Sequence, residues 1–333
     1  MLEQQEKLWD FEAVQPGQAG RPTVVSITDA NIAECARLSQ NPGYSGGPVA
    51  MPTMVLSYAP LLRDDIAENN GFVALEQSQT ARRQTPFAKC EIRWFRPVQA
   101  GDTITATRWV LEKYERRGSK FVTFRIEVAN QQGKKVAEYD YTCIFEYAQG
   151  QRQAPQESGD AGPASAESGN GPPGQAAPQL LTLSTVSVGD QLASLTISES
   201  QEIINRKNEF RLAGKPSASN IHTDEEFARQ NIFGGTVNAG PATMSYVDQM
   251  LEQSFPLDAF YNGGTLLMRA ITPFRSGDTV TLVGEITGKR EGTSLSPLGK
   301  GGPKGGVLEC RVKGINQRGE LVCLADAVMI MGG

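Results

Sequence analysis

His222 is the one histidine among 333 residues. It lies in Ser217-Ala218-Ser219-Asn220-Ile221-His222-Thr223-Asp224-Glu225-Glu226-Phe227. An imidazole titrates near neutral pH, so this segment holds a group able to take and give a proton under cellular conditions. The five cysteines, Cys35, Cys90, Cys143, Cys310 and Cys323, are scattered, mostly in apolar strand-like runs. Without ligand spacing between histidine and cysteine, a zinc site is not expected, and no other metal is implied. The cysteines read as small buried hydrophobes of a reducing, cytoplasmic protein.

A second candidate lies at Asn238-Ala239-Gly240-Pro241, where proline opens an apolar helix pattern running to Gln253. Proline is favoured in a first helical turn, and the free N–H groups there attract developing negative charge. The N–H of Gly240 is therefore a candidate oxyanion donor. Ser217, whose hydroxyl can orient water though it is a poor base, is a third catalytic candidate, and Ser219, Asn220, Asn238 and Ala239 flank these groups as candidate substrate contacts.

The chain is a duplication. Phe95-Arg96-Pro97-Val98-Gln99-Ala100-Gly101-Asp102-Thr103 returns as Pro273-Phe274-Arg275-Ser276-Gly277-Asp278-Thr279, with Asp278 in the place of Asp102 at an offset of 176. Asn130-Gln131-Gln132-Gly133 returns as Asn316-Gln317-Arg318-Gly319, at an offset of 186. Gly46-Gly47 matches Gly234-Gly235 at 188, and Ile27-Thr28-Asp29 matches Ile197-Ser198-Glu199 at 170. The rise from 170 to 188 marks an insertion in the second copy, and His222 lies within it. The fall from 188 to 176 makes the first copy the longer one around 63–86, in what reads as a loop. Where the second copy has Gly240 the first has Pro52, which carries no N–H. The first copy thus lacks both candidate groups.

The division follows as 1–148, a linker at 149–179 rich in Gly, Pro, Ala and Ser, and 180–333. A net charge of −5 supplies no basic footprint for nucleic acid. No apolar run approaches the ~20 residues of a membrane span, and the polar N-terminus is unlike a targeting peptide. In each half a short strand precedes a helix, a second more apolar helix follows, and three or four strands close the copy. Ser198 with Gln201, and Thr223 with Glu226, read as capping boxes. Strand runs are expected at 103–111, 121–129 and 136–147, and again at 279–286, 307–315 and 321–331. The fold class is α+β: a tandem pair, each half a curved antiparallel sheet wrapped around a central helix. Two such sheets can pair edge to edge, and a homodimer of the whole is compatible with this.

Asn220-Ile221-His222-Thr223-Asp224-Glu225-Glu226-Phe227-Ala228-Arg229, then Gly235-Thr236-Val237-Asn238-Ala239-Gly240, then Phe274-Arg275-Ser276-Gly277-Asp278-Thr279 resemble the MaoC-type (R)-specific enoyl-thioester hydratase/dehydratase family. The resemblance covers nearly the whole chain and implies a double hotdog whose C-terminal half keeps the chemistry. It implies reversible syn addition of water across the double bond of a 2-enoyl thioester. No cofactor is implied, since the substrate itself carries coenzyme A or a phosphopantetheine thioester. It also implies that His222 serves as acid/base and the Gly240 N–H as oxyanion donor. The chain departs from the family pattern Gly-Asp-Xaa-Asn-Pro-Xaa-His: Ser217 stands where the catalytic carboxylate belongs, and no Asp or Glu occurs between Glu209 and His222. Either His222 works alone, or a carboxylate arrives from elsewhere, or the reaction differs.

Two alternatives stay open. A hotdog thioesterase needs a carboxylate on the central helix, where Asp248 is the acid well placed. A non-catalytic acyl-thioester binding protein would need neither group. Arg82-Arg83 and Arg116-Arg117 read as solvated charges, and the Gly/Lys run 299–306 as a hairpin loop rather than a phosphate cradle.

Overall fold

A computed structural model describes residues 6–148, 180–215, 219–294 and 304–332. The expected linker at 149–179 lies outside the described residues, as do Pro216, Ser217, Ala218 and most of the Gly/Lys run.

The first copy contains β1 (Leu8–Trp9), β2 (Thr23–Ser26), α1 (Asp29–Leu38), and a 3-10 turn at Pro52–Met54 that runs into α2 (Val55–Tyr58). It continues with α3 (Arg63–Asn69), β3 (Val73–Ala74), β4 (Phe87–Trp94), β5 (Thr103–Arg116), β6 (Ser119–Ala129) and β7 (Lys135–Glu146). The second copy contains β8 (Leu195–Ser198), α4 (Gln201–Glu209), α5 (Glu225–Arg229), α6 (Gly240–Glu252) and α7 (Asp258–Tyr261). Its remaining strands are β9 (Thr265–Ala270), β10 (Thr279–Ser294), β11 (Lys304–Asn316) and β12 (Leu321–Met331).

Ten of these strands form one sheet in the order β2-β5-β6-β7-β4-β9-β12-β11-β10-β8. From the centre outward, each half presents the same order of strands, so the duplication visible in the sequence is a duplication of topology. The halves join at β4 and β9, antiparallel, with Cys90 opposite Met268 and Ile92 opposite Leu266. This is a double hotdog fold.

Local chemistry explains why the repeated motifs recur where they do. Gly101 and Gly277 have φ of +94° and +84°, a region closed to most side chains. The aspartate that follows each glycine accepts from a backbone N–H three residues earlier, Gln99 for Asp102 and Arg275 for Asp278. Its other oxygen takes the amide of Gln131 or Gln317 from the neighbouring hairpin. The Gly-Asp and Asn-Gln repeats are thus two ends of one clamp, present in both copies.

Helix α6 is buried along nearly its whole length, including Met244, Val247 and Leu251 on the expected face. Each of these side chains contributes about 1.5–3 kcal/mol by leaving water. The opposite face is buried too, because the 3-10 turn of the first copy packs there. Two expectations need correction. The caps fall later than read: Ser200 accepts from Ile203 N, and Asp224 accepts from Phe227 N. The 63–86 insertion is not a loop throughout, since it forms α3 and β3, with β3 pairing parallel to β1.

Candidate active site

His222 sits in a tight turn held from several sides. Its backbone N–H donates to Asn220 Oδ1 at 2.8 Å, and Thr223 N donates to the same oxygen at 3.2 Å. The Nε2 of Gln201, at the start of α4, donates to the His222 carbonyl at 2.7 Å. Ile221, Ala228 and Val237, with Phe227 and Phe233 against them, form a small apolar cluster beneath the turn. Arg275 donates to the carbonyls of Thr236 at 3.1 Å and Phe233 at 2.5 Å, tying the next loop to the Gly-Asp clamp. The imidazole is therefore set by packing and by backbone contacts.

The ring's Nδ1 lies 2.8 Å from the carbonyl oxygen of Val237. A carbonyl accepts only, so Nδ1 carries the proton and Nε2 holds the lone pair. Burial pushes the imidazole pKa down to about 4; the Val237 contact opposes the shift, and the nearby Arg211 and Arg63 charges add to it. At neutral pH this is an unprotonated base with a fixed tautomer.

His222 belongs to the walls of two cavities. The larger, about 880 Å³, lies between the copies and is also lined by Ser219, Asn220, Ala239, Pro241 and first-copy residues such as Ser57 and Tyr141. The smaller, about 500 Å³, has mostly apolar walls that include Phe87, Ile221, Phe233 and Met268, together with Asn238 and Gly240. The N-terminus of α6 stands where the two meet. No side chain caps that helix, and with Pro241 lacking an N–H its first turn offers the N–H groups of Gly240 and Ala242. Gly240 also has a steric reason to be glycine: a Cβ there would run into the Phe87 ring.

The other candidates divide. Ser219 and Asn220 line the larger cavity beside His222, although Asn220 spends its Oδ1 on the turn and Ser219 Oγ donates to Asp224. Asn238 is buried with both ends of its amide engaged, donating to Glu199 at 2.7 Å and accepting from Ala239 N at 2.9 Å. It lines the smaller cavity with its amide already engaged. Ser217 lies outside the described residues.

Three sets of contacts were not visible in the sequence. Arg82 is no free surface charge: it donates to the Ser219 carbonyl at 2.6 Å and lies over the Phe227 ring at 4.2 Å. The insertion peculiar to the first copy thereby touches the insertion peculiar to the second. Lys207 of α4 faces the larger cavity, with Nζ 3.6 Å from the centre of the Tyr246 ring. Asp248 is fully buried, and its Oδ2 accepts from Thr53 N at 2.9 Å and Thr53 Oγ1 at 2.6 Å. Pro52 has no N–H and the Thr53 N–H is taken by Asp248, so the helix start of the first copy offers neither to a ligand. None of the three has a histidine-like signature in sequence; only the repeat offsets, which bring the two insertions into view, pointed near Arg82.

Residues 217–298 match the sequence profile of the MaoC-like domain family. The C-terminal half carries a MaoC-like domain. Solved structures share the whole architecture. A MaoC domain protein dehydratase from Chloroflexus aurantiacus is 14% identical, with a TM-score of 0.64 over 97% of each chain. A MaoC-like dehydratase from Phytophthora capsici is 13% identical, with a TM-score of 0.58 over 95% of each chain. A conserved hypothetical protein of Mycobacterium tuberculosis, described as a double hotdog, is 14% identical, covering 96% of this chain and 98% of its own, with a TM-score of 0.52. No curated protein matches the chain. The profile match spans His222 and Gly240, so both candidate groups belong to the MaoC-like domain. Among the described residues, no helix is long and apolar enough to cross a membrane, and no cluster of metal-ligating side chains occurs.

Proposed function

We propose that the chain is a hydratase/dehydratase of 2-enoyl and 3-hydroxyacyl thioesters, with coenzyme A as the thiol. The observation that carries this reading is the unprotonated imidazole with a fixed tautomer, beside an uncapped helix start at the meeting of two cavities. In hydration, water lies between Nε2 of His222 and C3 of the substrate. As the C3–O bond forms, Nε2 takes a proton from the water. The electron pair of the double bond moves towards the thioester carbonyl, whose oxygen gains charge beside the Gly240 N–H. The imidazolium, destabilised by burial and by Arg211 and Arg63, then returns its proton to C2. Dehydration runs the same steps backwards. One histidine acting as base and then acid balances the reaction without the carboxylate that Ser217 replaces.

The preference for coenzyme A rests on charge. Arg63, Arg82, Arg211 and Lys215 line the larger cavity against Asp64 and Glu76, in a chain whose net charge is −5. That excess of cations suits a phosphorylated ligand. The thioesterase alternative loses support, since Asp248 is spent on Thr53 inside the core and lines neither cavity.

Crotonyl-CoA with a thiol reagent in the same cuvette tests the reading. Loss of the conjugated absorbance without free thiol is expected. Release of thiol would identify a thioesterase, and no change in either signal would leave a binding protein.

A further inference from the structure

Lys207 plays no part in the mechanism above, yet it is placed on the wall of the same cavity. Its Nζ lies over the Tyr246 ring and 3.4 Å from Ser245 Oγ, and among the described residues it forms no ion pair. The nearest acid in charge terms, Glu199, is already occupied: it accepts from Tyr246 Oη at 2.6 Å and from Asn238 Nδ2 at 2.7 Å. Ser39, Asn208 and Ser245 line the same cavity as Lys207, among apolar neighbours such as Leu38 and Ala242.

We propose that Lys207 binds a carboxylate at the far end of the acyl group, making the substrate the monothioester of a dicarboxylic acid. This rests on the thioester reading above. The thioester carbonyl belongs at Gly240, and Ser245 lies five residues further along α6, about 7.5 Å at the helical rise. An acyl chain leaving the helix start on the larger cavity's side, along the face that Pro241 shares with Ser245, brings its distal group towards Lys207. No carboxylate lies within ion-pair distance of this ammonium, and Glu199 acts on it only from further away, so a ligand carboxylate supplies the contact partner it lacks. Burial acts in the same sense, pushing the amine down to about 7 in the unliganded protein, with Glu199 opposing. The cation–π contact with Tyr246 holds the amine in place and still leaves it able to donate to an anion.

The same ammonium chemistry would also suit a phosphate of the coenzyme, so the test must separate the two. Glutaryl-CoA and butyryl-CoA, which contain no double bond to hydrate, are titrated calorimetrically into the full chain and into Lys207→Met. The wild type is expected to bind glutaryl-CoA tighter by about 10-fold or more, the worth of one charge-assisted hydrogen bond. Lys207→Met should erase that preference and leave butyryl-CoA unchanged. Equal weakening of both ligands would assign Lys207 to the coenzyme and overturn the proposal. Absence of any preference in the wild type would overturn it while leaving the thioester reading intact, whereas failure to bind either ligand would remove both. If Lys207→Met does not fold, wild-type binding of the N-acetylcysteamine thioesters, which carry no phosphate, decides: a retained glutaryl preference supports the carboxylate site, and its loss contradicts it.

Discussion

Nδ1 of His222 and the carbonyl oxygen of Val237 lie 2.8 Å apart, and this contact decides which nitrogen is the base. It fixes the tautomer and directs the lone pair of Nε2 away from Val237, while burial keeps the ring neutral. The ordinary value of 6.5 becomes about 4. Since His222 is the one histidine, its ring resonances in the full chain need no assignment. Titration by nuclear magnetic resonance should show a midpoint near 4, with the Nδ1–H tautomer persisting at pH 7. A midpoint at the ordinary value would mean that the ring is solvated and the electrostatic account is wrong. The same shift sets a stability trend. Between the two values the unfolded chain binds a proton that the folded chain refuses, so this residue removes stability as pH falls below 6.5.

Gly240 and Phe87 allow packing and chemistry to be separated. Gly240→Ala drives a Cβ into the Phe87 ring, and should cost about 1–3 kcal/mol of stability together with activity. Phe87→Ala removes the ring at its own cost in packing, and both Gly240 variants keep the N–H at position 240, so the comparison is made within that background. There Gly240→Ala should cost little further stability or turnover. A further loss of turnover without further loss of stability would show that the glycine serves the substrate in some way other than through its N–H.

Asp248 should matter to folding and not to turnover. Burial holds its carboxyl well above the ordinary carboxylate range, and the Glu252 carboxyl one helical turn on is held high for the same reason, with the Asp248 charge adding to it. The folded state therefore keeps protons that the unfolded state releases. Stability is greatest below the unfolded value of about 4 and is lost as pH rises through neutrality. Asp248→Asn still accepts from Thr53 and has no charge to bury, so its urea midpoint should change less between pH 6 and pH 9 than that of the wild type. Turnover should stay within about 3-fold, the scale of an indirect packing effect rather than a lost catalytic group. A collapse of turnover with the fold intact would revive the thioesterase reading.

Arg82 joins the two copy-specific insertions at Ser219 and Phe227. Arg82→Ala should lower turnover by roughly 10-fold, because the His222 turn loses an outer support, while global stability changes by less than about 1 kcal/mol. Hydrogen exchange across 219–229 reports the loosening directly. Unchanged exchange together with unchanged turnover would return Arg82 to the surface charges.

Much of this was legible in the sequence because the chain repeats itself. The Gly-Asp and Asn-Gln motifs recur at fixed offsets since each pair closes the same clamp, and the changes of offset exposed the insert carrying His222. The helix from Gly240 and the strands at 103, 121, 136, 279, 307 and 321 followed from local periodicity. Less visible were the joining strands β4 and β9, since each depends on a partner strand in the other half of the chain. The Arg82, Lys207 and Asp248 contacts were likewise hidden, because each links segments distant in sequence and each residue type is ordinary on a surface. The caps were misplaced by one or two positions because Ser, Thr and Asp or Glu stand close together at both helix starts, and only the backbone turn selects among them.

The most direct measurement compares hydration of crotonyl-CoA by the wild type and by His222→Ala, at equal protein concentration, with folding of the variant verified by its denaturation midpoint. Turnover should fall by about 10²–10⁴-fold, the usual contribution of a positioned acid/base, with ligand affinity nearly unchanged. A folded His222→Ala that hydrates crotonyl-CoA at the wild-type rate would contradict the assignment of this site.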